Sequence, residues 1–212
     1  MSEQAADGAK QFLNLIWLGI VGCGIAVFMG WMEVPKPVMA MWEKLNGNSE
    51  GEFAKITSLM PSDQTAFIQS VSGMRADYAA AENDMAKGGL RATRKEKVCA
   101  SLNGATDVEW VGLVDDLSSN GDGKGVLSIK IAPHLTVSTW NNALSDIGQD
   151  TLLEPGSPIH TVAASMKKGD QVKFSGRFFQ NDLDCIREKS FTLEGSLSDP
   201  DYLVKFENLQ RL

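Results

Sequence analysis

Met166-Lys167-Lys168-Gly169-Asp170-Gln171-Val172-Lys173-Phe174-Ser175-Gly176-Arg177-Phe178 is the stretch on which the fold turns. After Gly169 the residues alternate. Val172, Phe174, Gly176 and Phe178 share one phase, and Gln171, Lys173, Ser175, Arg177 and Phe179 share the other. Successive side chains on a strand point to opposite faces, so the pattern predicts a strand with an apolar row on a core. The other row is polar and partly basic. Lys173, Ser175, Arg177 and Phe179, with Trp140 as a further aromatic face, form the candidate ligand surface. A solvated outer face accounts for the same row equally well.

Immediately upstream, the signals change to those of a short helix. Ser157 is placed to cap, Pro158 suits the first helical position, and Ile159, Val162, Ala163 and Met166 make one apolar stripe. Lys167 and Lys168 suit the negative C-terminal end, and Gly169 suits the closing turn. On either side, alternation predicts strands at 108–115, 125–131, 135–140, 171–179 and 202–209. Asn120-Gly121-Asp122-Gly123 is a hairpin turn and Pro133-His134 a corner. Three strands, a helix and two strands is the order of a five-stranded barrel of oligonucleotide/oligosaccharide-binding (OB) type. The expected fold class is mainly β with N-terminal helices, the barrel occupying 105–212.

The 166–178 segment resembles the L-x-x-G-D-x-V-x-F-S-G-x-F signature of bacterial tRNA_anti-like OB-fold proteins. Asp199-Pro200-Asp201-Tyr202-Leu203-Val204-Lys205-Phe206 is similar to the same group. The likeness covers roughly the last half of the chain. It implies the OB fold and an N-terminal membrane span, which members often carry, and it transfers no catalytic residue.

Residues 12–32 contain no charged side chain, and Asn14 is the clearly polar one. At 1.5 Å rise per residue such a run matches the roughly 30 Å hydrocarbon core. Trp17 and Trp31 lie near its ends, where indoles favour the headgroup region. A transmembrane helix at 12–32 after a tail at 1–11 is therefore expected. Cys23 sits in a loose lipoprotein-like box, but the apolar run continues past it, which disfavours processing there. Lys10, Lys36 and Lys44 leave the orientation nearly balanced. Pro35 and Pro37 break the helix, and Met39, Trp42 and Leu45 mark a short amphipathic piece at 38–45, followed by a turn-rich linker at 46–51 within a juxtamembrane region at 33–61.

A helical segment is expected over 62–104. Phe67, Val71, Met74, Tyr78, Ala81 and Met85 recur at helical spacing, with Gly88-Gly89 as the stop. Packing on its own domain is the favoured reading over a coiled-coil stalk, because the repeat is short and its later residues are poor core formers. Lys87, Arg91, Arg94, Lys95 and Lys97 form the candidate basic patch, with Glu96 the acid among them.

The whole chain of 212 residues carries 20 Lys+Arg against 27 Asp+Glu, a net charge of -7. Polyanion binding is largely electrostatic, so this balance disfavours nonspecific nucleic-acid binding. The stretch 116–127 has the offsets of a calcium loop, but Leu127 stands where the bidentate acid belongs, and a hairpin is the better reading. His134 and His160 have no nucleophile or ligand partner at a telling spacing. No catalytic residue, cofactor or metal is expected. Cys99 and Cys185 are the candidate disulfide, bridged in an oxidising compartment and reduced in a cytosol. The expected role is a noncatalytic binding or scaffolding module tethered to a bacterial inner membrane with its barrel in the periplasm. Its expected partners are the lipid bilayer and a protein partner or a second copy. The alternative is a cytoplasm-facing module that binds single-stranded nucleic acid. An enzyme is the weakest reading.

Overall fold

Five strands pair into a closed ring in the order β1-β2-β3-β7-β4. They are β1 (Asp107–Ser119), β2 (Gly125–Ala132), β3 (Leu135–Ser138), β4 (Gln171–Phe178) and β7 (Asp201–Arg211). A two-residue hairpin, β5 (Gln180–Asn181) with β6 (Cys185–Ile186), stands apart from the ring. Every ring pairing is antiparallel except β3 with β7, which is parallel. A computed structural model describes residues 48–212. The tail at 1–11, the apolar span at 12–32 with Cys23, and the short helix at 38–45 lie outside the described residues. Among those described, no helix is long and apolar enough to cross a membrane.

Closing so few strands demands strong curvature, which bulges and glycines supply. The register shifts between Val114 and Asp116, between Lys130 and Ala132, and between Ser175 and Gly176. Gly176 occupies the inward phase of β4, where a Cβ would come within 2.7 Å of the Lys205 carbonyl oxygen. Gly112 on β1 is pinched in the same way, 2.5 Å from Ile129 Cγ2. As the alternation predicts, Val172, Phe174 and Phe178 are buried in the core with Trp110, Leu127, Ile129, Val137, Tyr202 and Val204.

The helices are α1 (Asn48–Thr57), α2 (Ser62–Ala80), α3 (Asp84–Leu102), α4 (Pro158–Ala164) and α5 (Leu193–Ser198). Helix α4 falls between β3 and β4 as expected, with the Ser157 hydroxyl accepting from the His160 amide at 3.3 Å. It ends at Ala164 rather than at Gly169. Gly169 instead takes φ +87° in the turn into β4, donating its amide to the Val114 carbonyl at 2.8 Å. Ala163 is buried, and Ile159 and Met166 pack against the core.

Helix α2 belongs to the same body as the ring, within the compact unit Ser49–Leu212. Phe67 is fully buried among ring aromatics, its centroid 5.0 Å from Trp110 and 5.2 Å from Tyr202. At the start of the helix, the buried Gln64 amide copies a peptide. It donates to the Val111 carbonyl at 2.6 Å and accepts from the Val111 amide at 3.0 Å. Asp63 accepts from the Trp110 indole at 2.7 Å. These bonds fix α2 on β1, so packing on its own domain is the reading that holds.

Several expectations need correction. Helix and strand occur in comparable measure, so the described chain is mixed rather than mainly β. Gly88-Gly89 does not stop a helix. Residues 62–104 form two helices that break at 81–83, and both glycines lie inside α3. Asn83 decides this by capping α3, its Oδ1 accepting from the Ala86 amide at 3.0 Å. A glycine in an exposed helix interior costs only about 1 kcal/mol relative to alanine. The turn-rich residues from Asn48 onward open α1 rather than a linker. Finally, β3 stops at Ser138, two residues short. There the Thr139 hydroxyl takes over the ladder, accepting from the Leu127 amide at 3.1 Å.

Candidate functional site

The polar row of β4 lies between acids on both neighbouring strands. Register places Lys173 opposite Val111 with Glu109 beside it, and Arg177 opposite both Asp107 and Lys205. Lys173 pairs with Glu109 at 2.5 Å, and Arg177 with Asp107 at 2.7 Å and Glu207 at 3.5 Å. The hydrogen bond to Asp107, reinforced by the charges of Asp107 and Glu207, holds the Arg177 guanidinium above its ordinary range. Ser175 sits half-buried between them, and Phe179 follows the strand, also half-buried.

Trp140 does not join this row. It follows β3, and β7 separates β3 from β4 in the ring. The expected five-residue ligand surface is therefore split, because strand order rather than sequence distance decides which side chains meet. Around Trp140 a different set converges. Its indole donates to Gln149 at 2.6 Å, and Lys189 Nζ lies 5.6 Å from its ring centroid. Lys189 donates to the Ser138 hydroxyl at 2.6 Å, the Thr139 carbonyl at 2.8 Å and Asp201 at 2.9 Å. An ammonium has three donors, so this cation is committed to the protein.

The basic patch of α3 is also dismantled. Arg94, 1% exposed, donates to the Ser196 carbonyl at 2.8 Å and pairs with Asp184. Arg91 reaches the same carboxylate at 3.3 and 3.2 Å. Burial would raise the Asp184 carboxyl, but the hydrogen bond from Arg91 and the charge and hydrogen bond of Arg94 outweigh it and hold the group below its usual value. Lys95 donates to the Asp182 carbonyl, Lys97 pairs with Asp77 at 3.1 Å, and Lys87 approaches Asp84 at 4.0 Å. One member of the expected patch is thus in the core, and the other four each have an acceptor within the chain. Beside Arg94, burial pushes the Tyr202 phenol far above its ordinary value, only partly offset by the Arg94 charge. Arg94 Nε and the Tyr202 hydroxyl are both buried without a hydrogen-bond partner.

Cys99 and Cys185 are joined in a disulfide, with their Cα atoms 5.5 Å apart. It ties α3 to β6 next to the Arg94–Asp184 pair. The stretch 116–127 is a hairpin, as expected. Asn120 Oδ1 accepts from the amides of Asp122 at 3.0 Å and Lys124 at 2.9 Å, and Asp116 to Ser119 are paired in β1. Among the described residues, no group of His, Cys, Asp and Glu is placed to hold a metal ion. His134 bonds Asp199 at 2.6 Å, and His160 borders a cavity of about 390 Å³ with Leu153 and Met166.

One groove has the ingredients of a docking site. It holds about 300 Å³ between α2 and the β2–β3 corner, lined by Val71, Arg75, Ala76, His134, Leu197 and Pro200. Arg75 makes no ion pair among the described residues, so a solvated cation adjoins an apolar wall. The chain matches no known family profile and no curated protein. Sequence reasoning missed Asp184, Lys189, Gln149 and Arg75. Asp184, Lys189 and Gln149 lie on connections between elements, and Arg75 borders its groove only because α2 packs on the ring, so no spacing in the chain signals them.

Proposed function

We propose that this chain is a noncatalytic binding or scaffolding module. In this reading an OB-type barrel related to the tRNA_anti-like group is tethered to a bacterial inner membrane by 12–32 and faces the periplasm. The ring order, the parallel β3–β7 pairing and the position of α4 support the OB assignment. The bridge between Cys99 and Cys185 supports an oxidising compartment. The partner is a protein, and the groove beside Arg75 is where it docks.

The observation that carries the choice of partner is the pairing of the β4 cations with Asp107, Glu109 and Glu207. Phosphate affinity grows with the number of cations that shed counterions on binding, and cations already neutralised by neighbouring carboxylates contribute little. Site-specific photo-crosslinking in intact cells tests the reading. A crosslinker at Ala76 yields a discrete protein adduct, and one at Lys173 yields none. Tight oligonucleotide binding by the full-length protein at low salt, falling steeply as salt rises, would replace this reading with the nucleic-acid one. A C-terminal reporter active only in the cytoplasm would overturn the placement.

A further inference from the structure

We propose that the Cys99–Cys185 bridge is a thiol-exchange site, opened and re-formed reversibly by a small-molecule thiol. Thiol–disulfide exchange requires access to a sulfur, and exposed disulfides tend to be the labile ones. Here both half-cystines are half-buried, and a cavity of about 290 Å³ opens onto them. Lys95, Gln180, Asn181 and Ile186 line it as well.

The electrostatics favour exchange at one particular sulfur. Lys95 precedes Cys99 by four residues on α3, which places both on one helix face. Its Nζ donates to the Asp182 backbone carbonyl, and among the described residues no carboxylate lies within ion-pairing distance of it. A cation next to a cysteine stabilises its thiolate, and the better thiolate leaves faster. The incoming thiolate therefore attacks Cys185 Sγ. The S–S bond breaks, its electron pair leaves on Cys99, and a mixed disulfide forms at Cys185. A second thiolate then attacks the sulfur of the bound small thiol. This frees Cys185, and Cys99 and Cys185 end as two thiols while two small thiols are oxidised to one disulfide.

The sulfurs do not depend on their bond to stay together. Asp184, next to Cys185, is held by Arg91 and Arg94 of the same helix that carries Cys99. Opening the bridge leaves those pairs in place, with both thiols poised to close again. This inference is independent of the proposed docking function.

The test uses the full-length oxidised protein in mild detergent, with Cys23→Ser removing the remaining thiol. Reduced glutathione is added at neutral pH without denaturant, samples are quenched by alkylation, and intact mass and circular dichroism are followed together. The expected result is a transient glutathione adduct at Cys185, then two alkylatable thiols, with the far-ultraviolet spectrum unchanged. The bridge returns when oxidised glutathione replaces the reduced form. Lys95→Met slows opening by about threefold or more while Lys95→Arg does not. The proposal is overturned if the bridge opens only in denaturant, if opening and loss of the folded spectrum coincide, or if Lys95→Met opens at the parent rate.

Discussion

Arg177 on β4 and Arg94 on α3 each meet a carboxylate, yet the two settings differ in every respect that sets energy. Arg177 is more than half exposed and shares its acids with solvent, while Arg94 is 1% exposed and Asp184 nearly so. Water screens the first pair and entropy opposes holding it. The second is out of water, and its value lies in what happens when one partner is removed. Interaction distance alone does not distinguish a surface decoration from a structural pillar.

Arg94→Ala gives the sharpest test of that contrast. Removing one partner of a buried pair strands the other charge and typically costs about 3–5 kcal/mol. Here Asp184 keeps Arg91, which places the expected loss toward the lower end of that range. Chemical denaturation of the oxidised protein measures it. A loss under about 1 kcal/mol would mean that Asp184 is solvated after all and that the two settings are alike.

Acid titration sharpens the comparison at intermediate size. The Asp184 carboxyl is held below its ordinary value in the folded chain, so the folded state binds its proton less readily than the unfolded one. The stability this supplies is complete above about pH 4 and drains away as pH falls through the lower folded value. The parent protein should therefore lose more stability between neutral pH and pH 3 than Arg94→Ala does. Parallel slopes in the two would assign the acid sensitivity to other carboxylates.

These contrasts bear on what the sequence could disclose. The inward row of β4, the Ser157 cap and the Asn120 turn were legible because each depends on near neighbours. The alternation of Val172, Phe174 and Phe178 carried its burial directly. Gly88-Gly89 misled because a cap at Asn83 outweighed two weak breakers. The candidate surface misled for a topological reason: β7 enters the ring between β3 and β4, and nothing near Trp140 or Lys173 announces it. Asp184 lies on a connection with little regular structure, 90 residues from Arg94. A buried pair of that separation leaves no periodic trace, so the basic residues of α3 looked like one solvated patch.

The smallest expected effect is at Lys173. Its pair with Glu109 is 44% and 67% exposed, and exposed pairs contribute about 0.2–1 kcal/mol. Lys173→Met keeps the aliphatic stem against the strand while removing the charge, so it isolates the electrostatic part. Stability should fall by about 0.5 kcal/mol in low salt and by less in high salt, where screening has already weakened the pair. The sign of the salt dependence is the informative readout. If the difference between Lys173→Met and the parent grows with salt, the Lys173 charge is opposed rather than supported by its surroundings, and β4's outer face is not the surface of screened ion pairs that its pairing with β1 describes.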